Sequence, residues 1–276
     1  PGPKPVNILA KLQNLAVGPG LWGGWGKVFL APLPYLLLNG GSNVNLVTAD
    51  HVSPLHEACL GGHAACASVL LKHGAQVNGV TIDWNTPLFN ACVSGSVDCL
   101  NLLLQHGASP HAACDLASPI HEAAKRGHVD CVESLASHGV NIDHNIKHLG
   151  TPLYVACENQ RLDCAKKLLE SGASANGGKE LDTPLHVAAK NSSADLVHLL
   201  IDFGADTHAK NGEGKIPVEL VLPSSTITHI FMQREGPPSL MQLCRLCIRK
   251  CFRHKEHHRI TGLLLPDELK RFLLHL

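Results

Sequence analysis

The chain has 276 residues, and its 23 Lys and Arg balance its 23 Asp and Glu. Zero formal charge excludes a general polyanion-binding surface and leaves room only for a local basic patch. Aromatics at 4% against plentiful Leu and Ala exclude a sheet rich in Tyr, Phe and Val and point to packed short helices.

Residues 1–34 come first and hold no complete repeat. A chain that opens on Pro1 rather than Met is expected to be a fragment or an incomplete gene model. The longest apolar stretch here, residues 28–38, has 11 residues and carries Pro32 and Pro34. A membrane-spanning helix needs about 20 apolar residues, and no small-residue cleavage site marks a signal peptide. Position 21, where a motif Pro is due, is Leu21, followed by Trp22, Gly23, Gly24, Trp25 and Gly26, a poor helix. This segment stays unassigned, as a mis-predicted or divergent start or as a disordered arm.

From residue 35 to residue 233 the chain is periodic. The segments SPLHEAC, TPLFNAC, SPIHEAA, TPLYVAC and TPLHVAA place Pro54, Pro87, Pro119, Pro152 and Pro184 at steps of 33, 32, 33 and 32, and a degenerate copy adds Pro217. Gly74, Gly107, Gly139, Gly172 and Gly204 repeat in the same phase. Leu37, Leu38, Val44 and Asn45 match Leu70, Leu71, Val77 and Asn78 at an offset of 33, so half of an earlier repeat precedes the five full ones. Each residue has a physical task. Ser or Thr before the Pro caps a helix, and Pro fits its first turn, where a missing N–H is harmless. Small Ala or Cys lets two helices approach, and the later Gly ends the second helix in a left-handed conformation. Leu pairs such as Leu70 and Leu71 bury against neighbouring repeats, each contributing roughly 1.5–3 kcal/mol. The pattern resembles the ankyrin repeat. That resemblance implies an all-α solenoid of helix-turn-helix repeats with short hairpin loops, stable only as a stack.

The 11 Cys and 19 His invite a metal reading that the period largely removes. Cys59, Cys92 and Cys157 lie five residues after the motif Pro, and Cys66, Cys99, Cys131 and Cys164 lie twelve after it. Seven of the eight Cys in the repeats therefore fill two recurrent core positions, as small apolar residues. Unpaired core thiols suit a reducing compartment, and a cytoplasmic location is expected. His56, His121 and His186 are motif residues expected to bond locally, while His73, His106 and His138 precede the helix-ending Gly and suit a negative helix end. No nucleophile in a special turn and no phosphate loop occurs, so no catalytic residue, cofactor or resident metal is expected.

Glu235, Gly236, Pro237 and Pro238 read as a linker. Beyond it, residues 239–252 place Leu240, Leu243, Leu246 and Cys247 at helical spacing, with Cys244, Ile248 and Cys251 alongside. Pro266 opens a second helix carrying Leu269, Phe272 and Leu273. About 38 residues make little core alone and must lean on the repeats or on a partner. Cys244, Cys247, Cys251, His254, His257 and His258 have zinc-like intervals, but the cysteines interleave with Leu and Ile along one helix without the turns that close ligands need. The basic run Arg249, Lys250, Arg253, Lys255 and Arg259 lacks interleaved aromatics and reads as a solvated face, not a nucleic-acid site.

Ser239 and Leu240 followed by Cys244 and Ile248 resemble an elongin-binding box, and Leu265 with Pro266 resembles the start of a cullin-5 box. Together they resemble a SOCS box over residues 239–276, and the whole resembles the ankyrin repeat and SOCS box family. The resemblance implies a non-catalytic substrate receptor of a cullin-5–elongin B/C ubiquitin ligase. Leu240, Leu243, Cys244 and Ile248 would bind elongin C, Leu265 and Pro266 would bind cullin-5 with its RING partner, and the repeats would bind an unidentified protein target for degradation. Glu268 stands where the family's second cullin-box Pro is expected, which makes elongin docking the firmer inference. The alternative is an ankyrin scaffold or inhibitor without ligase coupling, its C-terminal helices serving as an internal cap.

The family's hairpin tips carry Asp-Gly just before the motif Pro. Five copies here place His51, Trp84, Leu116, Leu149 and Leu181 at the Gly position, and only the last restores Gly214. A large side chain there weakens a left-handed turn. These five residues are therefore the expected target-binding stripe, with Trp84 its best anchor. The bland reading is that the tips pack on their own neighbours.

Overall fold

Each motif Pro opens a helix in the computed structural model, which describes residues 43–111, 118–221, 225–233, 243, 247 and 266–274. The first helices of the repeats are α1 (Pro54–Leu60), α3 (Pro87–Ser94), α5 (Pro119–Arg126), α7 (Pro152–Glu158) and α9 (Pro184–Lys190). The second helices are α2 (Ala64–Lys72), α4 (Val97–Gln105), α6 (Val129–Ser137), α8 (Leu162–Glu170) and α10 (Ala194–Asp202). In the degenerate sixth copy the first helix shrinks to a 3-10 turn, Pro217–Leu220, followed by α11 (Thr226–Gln233). Near the C-terminus α12 spans Asp267–Leu274. Among the described residues there is no strand, only isolated bridges at two hairpins, and no helix is long and apolar enough to cross a membrane.

The caps divide their labour. The hydroxyls of Ser53, Thr86 and Thr151 accept from the backbone N–H three residues on, at 3.4, 3.1 and 3.2 Å. Those of Ser53, Ser118 and Thr183 also meet the Nδ1 of His56, His121 and His186, each at 2.8 Å. Gly62, Gly95 and Gly127 turn the chain between paired helices with positive φ, but Gln160 and Ser192 hold the same kind of turn at φ 56° and 54°. The five helix-ending glycines, Gly74 to Gly204, all have φ between 77° and 97°. Just before three of them, His73, His106 and His138 close the helix with Nδ1 on the carbonyl four residues back, at 2.9, 3.0 and 2.8 Å. These rings act as hydrogen-bonded caps, a more specific device than attraction to the helix end.

The chain falls into two compact units, Pro1–Ser109 and Pro110–Leu276. In the first, α1 packs on α2 and α3, α3 on α4, and α2 on α4. In the second, the first helices stack as α5–α7–α9, the second helices as α6–α8–α10, and α11 packs against α10. The apolar positions that recur with the repeat meet in each core: Leu55, Leu88, Leu100 and Leu103 in one, Leu135, Leu153, Leu168 and Leu185 in the other, all fully buried. The two Cys series lie in the same cores, and all seven side chains are buried. Burial pushes the Cys157 thiol up to about 12. The Cys59 thiol donates to the Cys99 sulfur, which together with burial drives the Cys59 pKa far upward. Cys59 and Cys157 stay thiols at neutral pH and act as small apolar filling.

A second inter-repeat device rests on Asn. Asn45 Nδ2 donates to the Gly74 carbonyl at 3.0 Å while its Oδ1 accepts from Gln76 N at 2.8 Å. Asn78 does the same with Gly107 and Ser109, and Asn176 with Gly204 and Asp206. The half-repeat that ends at Asn45 is thus joined to its neighbour by the same pair of bonds as a full one.

One hairpin is packed to its limit. A Cβ at Gly178 would overlap the Asp182 carbonyl oxygen and lie 2.9 Å from the Thr183 Cα, both backbone. Gly178→Ala is expected to lower stability by about 1–3 kcal/mol, read as a lower urea midpoint, while Gly212→Ala, which meets nothing within 4 Å, leaves it nearly unchanged.

Candidate functional site

The hairpin tips carry the residues that the sequence marks for target binding. In the first unit two tips share one geometry. His51 N donates to Thr48 O at 3.0 Å and Thr48 N to Val52 O at 3.0 Å; Trp84 N donates to Thr81 O at 2.9 Å and Thr81 N to Asn85 O at 3.0 Å. The Thr48 and Thr81 hydroxyls accept from Val52 N and Asn85 N. This is a three-residue loop closed by a left-handed residue. That residue is His51 at φ 59° and Trp84 at φ 63°. The last copy builds the same turn on Asn211, with Gly214 at φ 75°. An L-residue in this conformation is disfavoured by roughly 1–2 kcal/mol, and neither side chain offsets it by burial. Trp84 is 51% exposed, and Ile82 and Val47 are exposed as well. Ile82 N donates to Asp50 O at 3.1 Å and ties the two tips together.

In the second unit the tips depart from the expected register. The left-handed residue is Gly150, φ 86°, and not Leu149; in the next copy it is Glu180, φ 54°, and not Leu181. The reason is local. A glycine one position later lets the turn close there, with Gly150 N donating to Ile146 O. A Cβ at Gly150 would also press on Lys179 and Tyr154 at 3.0 Å. The following hairpin is one residue shorter. Lys179 and Asp182 exchange backbone bonds at 3.0 and 2.9 Å around Glu180 and Leu181, so the positive φ falls on the first of the two. Leu149 is half-buried, whereas Leu181 is 63% exposed. Leu116 lies outside the described residues.

The tips are anchored from below by the motif histidines. His56 Nε2 donates to the carbonyls of Gly79 and Asn85, both at 3.1 Å. His121 Nε2 donates to Gly150 O and His186 Nε2 to Lys215 O, each at 3.1 Å. Every one of these carbonyls belongs to the next hairpin, so a buried ring in one repeat fixes the loop of its successor. Nδ1 must then accept, as it does from Ser53 N at 3.2 Å and Thr183 N at 3.1 Å, which requires neutral rings. Burial holds the His121 pKa down at about 4. The His144 ring, edge-on at 6.1 Å, and His148 oppose its protonation further. Burial also lowers the His56 pKa.

At the C-terminal end, Leu240, Cys244, Ile248 and Leu265 lie outside the described residues. Leu243 and Cys247, one helical turn apart, are both exposed, Leu243 at 48%. Pro266 is the residue before α12, and its carbonyl accepts from Leu269 N and Lys270 N at 3.0 Å. Glu268 is exposed in the first turn of that helix.

Comparison with known proteins now decides the family. Residues 31–114 and 111–178 match ankyrin repeats (3 copies), residues 176–221 match ankyrin repeats (many copies), and residues 236–274 match the SOCS box. The chain belongs to the ankyrin repeat and SOCS box family. Ankyrin repeat and SOCS box protein 9 of Homo sapiens is 69% identical over 136 residues, 49% of this chain and 46% of that protein. Its namesake in Mus musculus is 71% identical over 168 residues, 61% of this chain and 58% of that protein. The chain thus spans about half the length of the curated relatives it matches. A crystal structure of the human ASB11 ankyrin repeat domain superposes with a TM-score of 0.70 at 56% identity, covering 74% of this chain and 93% of that domain. The SOCS box match takes in Leu240, Leu243, Cys244, Ile248, Leu265 and Pro266, and the repeat matches take in all five tip residues.

Proposed function

We propose that this chain is a non-catalytic substrate receptor of a cullin–elongin ubiquitin ligase. The repeats over residues 35–233 hold a protein target, and the box over residues 239–276 docks on elongin C. The observation that carries this reading is the SOCS box match at residues 236–274, directly after the ankyrin repeats. Leu240, Leu243, Cys244 and Ile248 form the apolar ridge that seats in elongin C, with elongin B beside it. Leu265 and Pro266 contact cullin-5, which brings the RING partner. Bringing target and ubiquitin carrier together raises their effective concentration, so the receptor supplies no chemical group of its own. Ubiquitination would send the target for degradation. His51, Trp84, Leu116, Leu149 and Leu181 contact the target, and the exposure of Trp84 and Leu181 supports that role. The recurrent Cys buried in the repeat cores support a reducing, cytoplasmic setting.

Purified full-length chain mixed with purified elongin B–elongin C heterodimer is expected to co-elute from gel filtration as one complex. Separate elution of the chain and the heterodimer would contradict ligase coupling and favour a free ankyrin scaffold or inhibitor.

A further inference from the structure

We propose that the first two hairpin tips form a receptor for an arginine side chain on an extended segment of the target. The guanidinium lies on the Trp84 ring, with Asp50 and Asp83 as its counter-ions. This rests on the reading that the tips bind the target, and it assigns the chemistry recognised there.

Three observations converge. The Trp84 ring stands in solvent on a residue whose backbone favours glycine, at φ 63° and 51% exposure. Its presence therefore has no rationale in the turn itself. Trp faces attract cations more strongly than other rings, and a planar guanidinium stacks on them better than an ammonium does. Second, an exposed carboxylate precedes each left-handed residue: Asp50 before His51, and Asp83 before Trp84. The Ile82 N–Asp50 O bond of 3.1 Å sets these acids on adjoining tips. Neither Asp is in an ion pair among the described residues. Third, residues 43–109 hold four carboxylates, Asp50, Glu57, Asp83 and Asp98, against a single ammonium, Lys72. The chain as a whole is balanced at 23 against 23, so the stretch that carries the aromatic tip is locally acidic. Val47 and Ile82, 54% and 57% exposed, offer apolar surface for the methylenes and neighbouring side chains of such a segment. An acidic or purely apolar partner would leave the two carboxylates unmatched.

Fluorescence anisotropy with the full-length chain and a labelled peptide of alternating Arg and Leu tests this. The matched peptide with citrulline for Arg keeps the shape and loses the charge. The Arg peptide is expected to bind at least about tenfold more tightly than the citrulline peptide, and more weakly at about 300 mM than at about 50 mM salt. Trp84→Ala, and Asp50→Asn with Asp83→Asn, should each weaken it by about tenfold or more. Trp84→Gly should weaken it equally while the urea midpoint stays level or rises, because glycine relieves the left-handed backbone. Equal affinity for the two peptides, or full binding by Trp84→Ala, would overturn the proposal. Replacing Trp84 by p-benzoylphenylalanine and irradiating cells separates it from the wider reading. Cross-links to an Arg-bearing segment support both. Cross-links to an acidic or neutral segment overturn the cation site and leave tip docking standing, and no cross-link overturns both.

Discussion

Lowering the pH from 7 to 4 should strip about 3 kcal/mol of stability through His121 alone. In the folded protein this ring stays neutral down to about 4. Once unfolded it takes a proton near its ordinary 6.5. Between those values the unfolded chain binds more protons, so stability falls as pH falls. The contribution is complete above about 6.5 and gone near 4. The cause is structural. His121 is buried, its Nε2–H is committed to the Gly150 carbonyl, and protonating Nδ1 would set a charge against His144 and His148. The check is urea unfolding of wild type and His121→Gln across this range. The variant should be weaker at pH 7, and the gap should close as pH approaches 4. A gap that does not change with pH would mean that the ring is not held neutral by its burial. Burial lowers the His56 pKa in the same direction, so acid loosens its hairpin too.

Leu168→Ala is expected to cost about 2–5 kcal/mol, a large share of a typical folding free energy of about 5–15 kcal/mol. Leu168 is fully buried in α8, between the second helices of the neighbouring repeats. Truncation leaves a cavity that two layers of helices cannot both close. Leu162, on the same helix but 37% exposed, should lose under about 1 kcal/mol when replaced by Ala. Urea titration followed by circular dichroism compares the two. Similar, small losses would show that adjacent repeats do not rely on each other's cores.

The helical pairs are legible in the sequence because Pro, Gly, Leu and Cys recur in one phase, and a side chain that must fit the same gap in every repeat returns at the same step. Cys59, Cys92 and Cys157 are core residues for that reason, and so are Cys66, Cys99, Cys131 and Cys164. The tips are less legible. His51 and Trp84 sit at the left-handed position that Gly214 fills, but Gly150 and Glu180 take that role in place of Leu149 and Leu181. Spacing from the motif Pro cannot register a glycine displaced by one residue or a hairpin shortened by one. Gln160 and Ser192 are hidden for a related reason: neighbouring helices force a left-handed turn on residues that do not favour it. The paired hydrogen bonds of Asn45, Asn78 and Asn176 leave only a weak trace, a single Asn at a fixed offset. Their role depends on which carbonyl the next repeat leaves open. At the C-terminal site, the resemblance carried by Leu240, Cys244 and Ile248 reaches further than the described residues do.

One capture experiment tests most directly whether a single chain bridges a target and a ligase. Wild type, Leu240→Asp and Trp84→Ala are used as bait in cytosolic extract, and retained proteins are quantified by mass spectrometry. Elongins B and C should be lost with Leu240→Asp alone, and a separate set of proteins should be lost with Trp84→Ala alone. Elongins retained by Leu240→Asp, or both sets lost together in either variant, would contradict the bridge.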